Sequence, residues 1–239
     1  MTAASLVHLD VPALLAKLGV FPRRITADSR RVEPGVAFAA YPGLHTDGRR
    51  YVADAIARGA SAVLWEAQSF AWDAKWQVPN LGIEGLQARV GAIADFIHGG
   101  PSKSLWMVAV TGTNGKTSCA MWVAQALNAC GRRAAVLGTL GNGLVGALAP
   151  ATHTTPDATV LQELLRQFAD AGAKAVAMEV SSHGLDQGRV NGTKFDVALF
   201  TNLTRQVKDG TVPMARLDDA VRRILRVKIK AGVFRAERP

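Results

Sequence analysis

From Val110 to Ser118 the chain reads Val-Thr-Gly-Thr-Asn-Gly-Lys-Thr-Ser, with two glycines three apart followed at once by a lysine and two hydroxyls. Glycines allow a turn tight enough for successive N–H groups to converge on phosphate oxygens, and a helix starting there adds the partial positive charge of its N-terminus. Gly112, Thr113, Asn114, Gly115, Lys116, Thr117 and Ser118 are therefore the candidate phosphate-binding residues. Lys116 would neutralise the β/γ-phosphates of a nucleotide, and the Thr117 hydroxyl would ligate magnesium. The usual P-loop has a glycine where Val110 stands, so the fit is to a shorter Gly-x-x-Gly-Lys-Thr variant. A plain glycine turn is the alternative. A Gly-Lys-Thr set between an apolar strand and a helix start weighs against it.

A second cluster follows an apolar run. Glu179 closes that run, and Ser181, Ser182 and His183 come directly after it. The carboxylate is a candidate direct or second-sphere ligand of a nucleotide's magnesium, an ion that takes one or two carboxylates together with phosphate oxygens. A strand-end charge facing water is the alternative. Lys116 and Glu179 are the candidate catalytic residues. A Ser–His hydrolase in this patch is disfavoured, because no Gly-x-Ser-x-Gly elbow is present.

Elements must place these residues at one edge. Apolar runs at Leu105–Val110, Ala134–Leu137, Ala175–Val180 and Phe195–Thr201 predict strands, and Thr117–Cys130, closed by Gly131, predicts a helix. A loop rich in glycine is expected after Leu137. Thr155-Pro156-Asp157 supplies a cap, a proline at the first helical position and an acid in the first turn of a helix that runs to Ala171 and stops at Gly172. Apolar strands separated by helices predict a parallel sheet covered on both faces, with ligands beyond the strands' C-terminal ends. Upstream, Ile25–Ala27, Val36–Ala40 and Ala62–Trp65 read as strands, and Tyr51–Arg58 and Leu86–Ile97 as helices. The breakers in His98-Gly99-Gly100-Pro101-Ser102-Lys103 mark a linker. The expected fold class is α/β: an N-terminal α/β domain over 1–100, a P-loop-type parallel-sheet domain over 104–205 that is incomplete, and a basic helical tail over 206–239.

Composition sets the class. At 239 residues and 49% hydrophobic, the chain can fill a real core, which excludes a disordered tail or a disulfide-stapled miniprotein. Of its 28 Lys/Arg and 19 Asp/Glu, nine and four lie in residues 206–239, leaving a mildly basic body with 19 and 15. Cys119 and Cys130 lack a CxxC partner or a His at zinc spacing, and read as buried structural thiols in a reducing compartment. No apolar run reaches the roughly 18 residues of a membrane span. The N-terminus, with Asp10 inside its only apolar stretch, lacks a signal-peptide core. A soluble cytoplasmic protein is expected, acting as a monomer.

The motifs, in order and spacing, resemble the Mur ligases. They are Thr111–Thr117, Thr154-Thr155-Pro156-Asp157, Met178–His183, Gln187-x-Arg189 and Phe200–Arg205, and the resemblance covers about residues 1–205. It is strongest to the members that add the third peptide residue. Ala27-Asp28-Ser29-Arg30, Pro34-Gly35 and Pro42–Gly48 are similar to their nucleotide-sugar domain. The resemblance implies that ATP, with Mg2+, phosphorylates a carboxylate of UDP-N-acetylmuramoyl-L-alanyl-D-glutamate. The amine of a diamino acid, meso-diaminopimelate, then attacks the acyl phosphate. It further implies that Ser29, His45 and Thr46 hold the UDP end, and that Thr154, Thr155, Ser181, Gln187 and Arg189 hold the muramoyl peptide. Arg189 is chemically apt, since a guanidinium forks onto a carboxylate or phosphate; a solvated loop arginine is its alternative.

After Arg205 the family pattern stops. The Asp-His-Leu-Asp of the family is replaced by Gln206-Val207-Lys208-Asp209, and Val221 stands where its carbamylated lysine is expected. The expectation is a truncated or fused chain with an ATP site present in part, impaired as a ligase. The alternative is a non-catalytic nucleotide or UDP-muramoyl-peptide binding fragment. Asp209–Lys228 resembles a segment of family 3 glycoside hydrolases, but no barrel precedes it and no catalytic residue of that family can be placed. Leu217, Val221, Ile224 and Leu225 share a helical face with Arg222, Arg223 and Arg226 away from it. Packing of this helix on the sheet is favoured over binding to nucleic acid or an anionic membrane.

Overall fold

The computed structural model describes residues 10–44 and 46–201. His45 and the whole 206–239 tail lie outside the described residues, so the expectations placed on them do too.

Two sheets organise the α/β fold, an all-parallel one of four strands in the order β1-β2-β3-β4 and a mixed one of six in the order β10-β5-β9-β6-β7-β8. The first is built from β1 (Arg24–Thr26), β2 (Val36–Ala40), β3 (Ala62–Glu66) and β4 (Asn80–Ile83), with α1 (Val11–Ala16), α2 (Val52–Ala57) and α3 (Leu86–Ile97) around it. All five residues of β2 are buried, as expected of a central parallel strand covered on both faces. Side chains alternate between those faces. Ala37, Ala39 and Leu64 pack with Val90 and Ile93 of α3, whereas Phe38, Ala40 and Val63 pack with Val52 and Ala55 of α2.

The predicted linker contains a short helix, α4 (Pro101–Ser104), entered through Gly99 and Gly100 at positive φ. The second sheet is built from β5 (Trp106–Thr111), β6 (Ala134–Gly138), β7 (Gly141–Leu144), β8 (Ala147–Ala149), β9 (Ala175–Glu179) and β10 (Val197–Phe200). Its helices are α5 (Lys116–Ala129), α6 (Ala158–Asp170) and the short α7 (Ser182–Asp186). Strands β10, β5, β9 and β6 run parallel. On one face Met107, Leu137 and Met178 meet Leu161 and Leu165 of α6; on the other, Val108, Val110 and Val136 meet Ala120 and Ala124 of α5.

Three expectations are corrected. The glycine-rich stretch after β6 is not an open loop: β6, β7 and β8 form antiparallel pairs, so this edge of the sheet is not parallel. The cap of α6 is Asp157, whose carboxylate accepts from the backbone N–H groups of Thr159 and Val160. Thr155 cannot cap, because its hydroxyl is bonded to Glu179 O and Ser181 N, and Pro156 accordingly precedes the helix. The cysteines are free, with Cys119 half-buried and Cys130 exposed at the C-terminal end of α5, so the latter is no buried thiol.

Candidate functional site

The ends of β5, β6 and β9 lie side by side in the sheet, and the residues that follow them meet there. From β5 the chain passes through Gly112–Gly115 into α5, with Gly115 as the residue before the helix at φ +82°. That left-handed conformation suits glycine, since a Cβ there is strained. Lys116 folds back over the loop, its Nζ donating to the carbonyls of Gly112 at 2.8 Å and Thr113 at 3.2 Å. From the strand beside β5, Thr201 Oγ1 donates to Asn114 O. Thr113, Asn114 and Ser118 are exposed on the loop and first turn.

Glu179 is 1% exposed, which overturns its reading as a strand-end charge facing water. Its carboxylate accepts from Thr117 Oγ1 at 2.8 Å and from the backbone N–H of Thr139 at 2.7 Å. Gly138 leaves room for it: a Cβ there would lie 2.8 Å from Glu179 Cδ. Thr139 is a member of this site that the sequence reading missed. Its one signal is its place at the C-terminal end of a buried apolar strand, where ligand sites of such sheets gather. The Thr139 hydroxyl in turn lies 3.0 Å from that of Thr154.

Thr155, Ser181, Gln187 and Arg189 form one connected group. Thr155 Oγ1 accepts from Ser181 N at 3.0 Å. Arg189 donates through Nη1 to Thr155 O at 2.7 Å and through Nε to Gln187 Oε1 at 2.8 Å. Arg189 is therefore a structured residue and not a solvated loop arginine. Ser181 also caps α7, accepting from Gly184 N. Gln187 and Arg189 line a cavity of about 470 Å³ between the two sheets, whose opposite wall includes Tyr41, Thr46 and Gln87. Burial pushes the Tyr41 phenol up, and the nearby Asp157 charge adds to that shift. Thr46 is exposed, with its hydroxyl 3.3 Å from Tyr51 Oη, while Ser29 is buried in the turn Ser29–Arg31. Ser29 is not among the residues lining this cavity. His153 and His183 reach the cavity but take no part in a Ser–His arrangement shown by these contacts.

The oxygen donors of Thr117 and Glu179 suit magnesium, a hard cation that keeps waters and shares phosphate oxygens. Among the described residues there is no cluster of three or more His, Cys, Asp or Glu that could hold a metal. Any such ion at this site would depend on phosphate for much of its coordination.

A glycine loop thus enters a helix beside a buried carboxylate on the neighbouring strand, near a cavity lined from both sheets. Residues 23–97 match the Mur ligase family, catalytic domain, and residues 110–226 match the Mur ligase middle domain; the chain belongs to the Mur ligase family. The UDP-N-acetylmuramoyl-L-alanyl-D-glutamate–2,6-diaminopimelate ligase of Nitrosomonas europaea is 50% identical over 196 residues, 82% of this chain and 38% of that protein. The enzyme of the same name from Chromobacterium violaceum is 52% identical over 199 residues, covering 83% and 40%. A solved structure of that enzyme type superposes with a TM-score of 0.66 at 36% identity, covering 77% of this chain and 37% of that one. The chain thus spans 38–40% of the length of these two curated relatives. No helix among the described residues is long and apolar enough to cross a membrane.

Proposed function

We propose that this chain forms the nucleotide- and UDP-muramoyl-peptide-binding part of an ATP-dependent amide-bond ligase of peptidoglycan synthesis. The acceptor is UDP-N-acetylmuramoyl-L-alanyl-D-glutamate and the added group a diamino acid, meso-diaminopimelate. The observation that carries this reading is the 2.8 Å contact from Thr117 to the buried Glu179, which ties the glycine loop to the neighbouring strand of the sheet. In this reading residues 112–118 would cradle the triphosphate, and Thr117 and Glu179 would be the residues that hold Mg2+. Magnesium, when bound, neutralises charge developing on the transferred phosphoryl group. Lys116 leaves the carbonyls of Gly112 and Thr113 for phosphate oxygens, which are the stronger acceptors. Arg189, with one Nη still uncommitted in these contacts, binds the peptide carboxylate, and Gln187, Thr155, Thr154 and Ser181 orient it. The carboxylate oxygen attacks the γ-phosphorus, ADP leaves, and the acyl phosphate awaits the amine. Ser29, His45 and Thr46 hold the UDP end. Residues 1–100 and 104–205 act as two domains of a cytoplasmic monomer.

The test is calorimetry of the 239-residue chain with the ATP analogue AMP-PNP and with UDP-N-acetylmuramoyl-L-alanyl-D-glutamate, beside an assay of phosphate release and tripeptide product. Binding of both ligands supports the reading, and binding of neither refutes it. A second reading, in which the chain binds nucleotide or UDP-muramoyl peptide without completing the amide bond, rests on Gln206-Val207-Lys208-Asp209 and Val221 standing where the family pattern would continue. Robust tripeptide formation would refute that second reading.

A further inference from the structure

Glu163 lies on α6 and is 9% exposed, yet both of its partners come from the first sheet's side of the molecule. Its Oε1 accepts from Arg24 Nη1 at 3.1 Å and its Oε2 from Arg31 Nη2 at 2.6 Å. Arg24 sits on β1, and Arg31 ends the turn Ser29–Arg31. Arg24 Nη2 also donates to Arg31 O, so one carboxylate holds both ends of segment 24–31. At its other end α6 starts from Asp157 and Ala158, which line the cavity between the sheets. A separate seam fixes the same two units. A Cβ on Gly192 would lie 2.6 Å from Gly91 C of α3, and Asn191 Nδ2 donates to Ala88 O at 2.9 Å.

A partly buried Arg–Glu–Arg group is a poor source of net stability, because the desolvation of three charges offsets their attraction, and apolar side chains of like volume often serve as well. What it supplies is direction. We propose that Glu163 is a positioning residue that sets the Ser29-bearing turn at a fixed distance from the Arg189–Thr155 end of the cavity. A substrate long enough to touch both units is then met by a preformed span. This rests on the proposed function, in which UDP and the muramoyl peptide occupy those two ends. Preorganisation of this sort raises affinity only for a ligand that bridges the units.

The test is calorimetry on the full chain and on Glu163→Met and Glu163→Gln, with three probes: UDP, AMP-PNP and UDP-N-acetylmuramoyl-L-alanyl-D-glutamate. The Met variant leaves Arg24 and Arg31 without the carboxylate they share and should melt below the parent, while its folded form binds UDP and AMP-PNP within about twofold of the parent. It should bind the long ligand about tenfold more weakly, with Glu163→Gln between the two. Should the Met variant fail to fold, Glu163→Gln alone decides, through the same selective loss. Equal affinity of parent and variants for the long ligand, or parallel loss for all three probes, overturns the proposal while the function stands. A parent chain that binds the long ligand no more tightly than UDP overturns this inference alone, whereas one that binds neither AMP-PNP nor the long ligand overturns the proposed function and this inference with it.

Discussion

Replacing Gly138 with alanine tests how tightly Glu179 is held. The new methyl would sit 2.8 Å from Glu179 Cδ and closer still to its Oε1, so the carboxylate must move. At 1% exposure it has no path to water, and moving it breaks bonds to Thr139 N at 2.7 Å and Thr117 Oγ1 at 2.8 Å. Hydrogen bonds to a charged group are worth about 1.5–3 kcal/mol each. Partial relaxation of β6 returns some of that, so a net loss of about 2–4 kcal/mol in unfolding free energy is expected. Gly138 has no positive φ, so backbone strain does not confuse the result. Were the steric argument wrong, Gly138→Ala would instead stabilise by about 0.4–1 kcal/mol through the entropy of the unfolded chain. Urea unfolding of the parent and variant measures the difference. A midpoint unchanged or raised, at equal slope, refutes the account of this strand end.

Lys116→Ala should weaken AMP-PNP binding at least about tenfold in calorimetry while leaving UDP binding intact, because a charge-assisted phosphate contact is removed and nothing at the far unit changes. Arg189→Ala should do the reverse, sparing AMP-PNP and weakening UDP-N-acetylmuramoyl-L-alanyl-D-glutamate about tenfold through loss of the guanidinium. Equal loss of both ligands in both variants would indicate unfolding instead. Burial holds the His98 imidazole below its ordinary value of 6.5, and its Nε2 has no hydrogen-bond partner among the described residues. The unfolded chain therefore binds more protons between the depressed value and 6.5, and His98's contribution to stability falls as pH drops through that window. Urea midpoints from pH 7.5 to 5 should show that slope in the parent and lack it in His98→Asn.

The strand, glycine loop and helix of residues 106–129 were legible because everything they need is contiguous: an apolar run, two glycines, a lysine and a helix start within about a dozen residues. Glu179 was legible as the one charge closing an apolar run. Thr139 was not, since its bond to Glu179 joins positions 40 residues apart through strand order, which local periodicity does not encode. The same holds for Glu163 with Arg24 and Arg31, separated by 139 and 132 residues. The start of α6 was misread by two residues because Thr155 has the chemistry of a cap but spends its hydroxyl on the neighbouring strand. The hairpin of β7 and β8 was hidden by glycines that ordinarily signal an open loop. The first sheet's β4 and α1 were also unread, as Asn80-Leu81-Gly82-Ile83 and Val11–Ala16 are too short to display a period.

The central claim is that residues 112–118 grip a triphosphate. A crystal structure of the chain with AMP-PNP and magnesium tests it directly. The account predicts β- and γ-phosphates against the backbone N–H groups of this loop, with Lys116 Nζ drawn away from the Gly112 and Thr113 carbonyls it now holds. A loop that stays empty at saturating nucleotide, with Lys116 still bonded to those carbonyls, would contradict it.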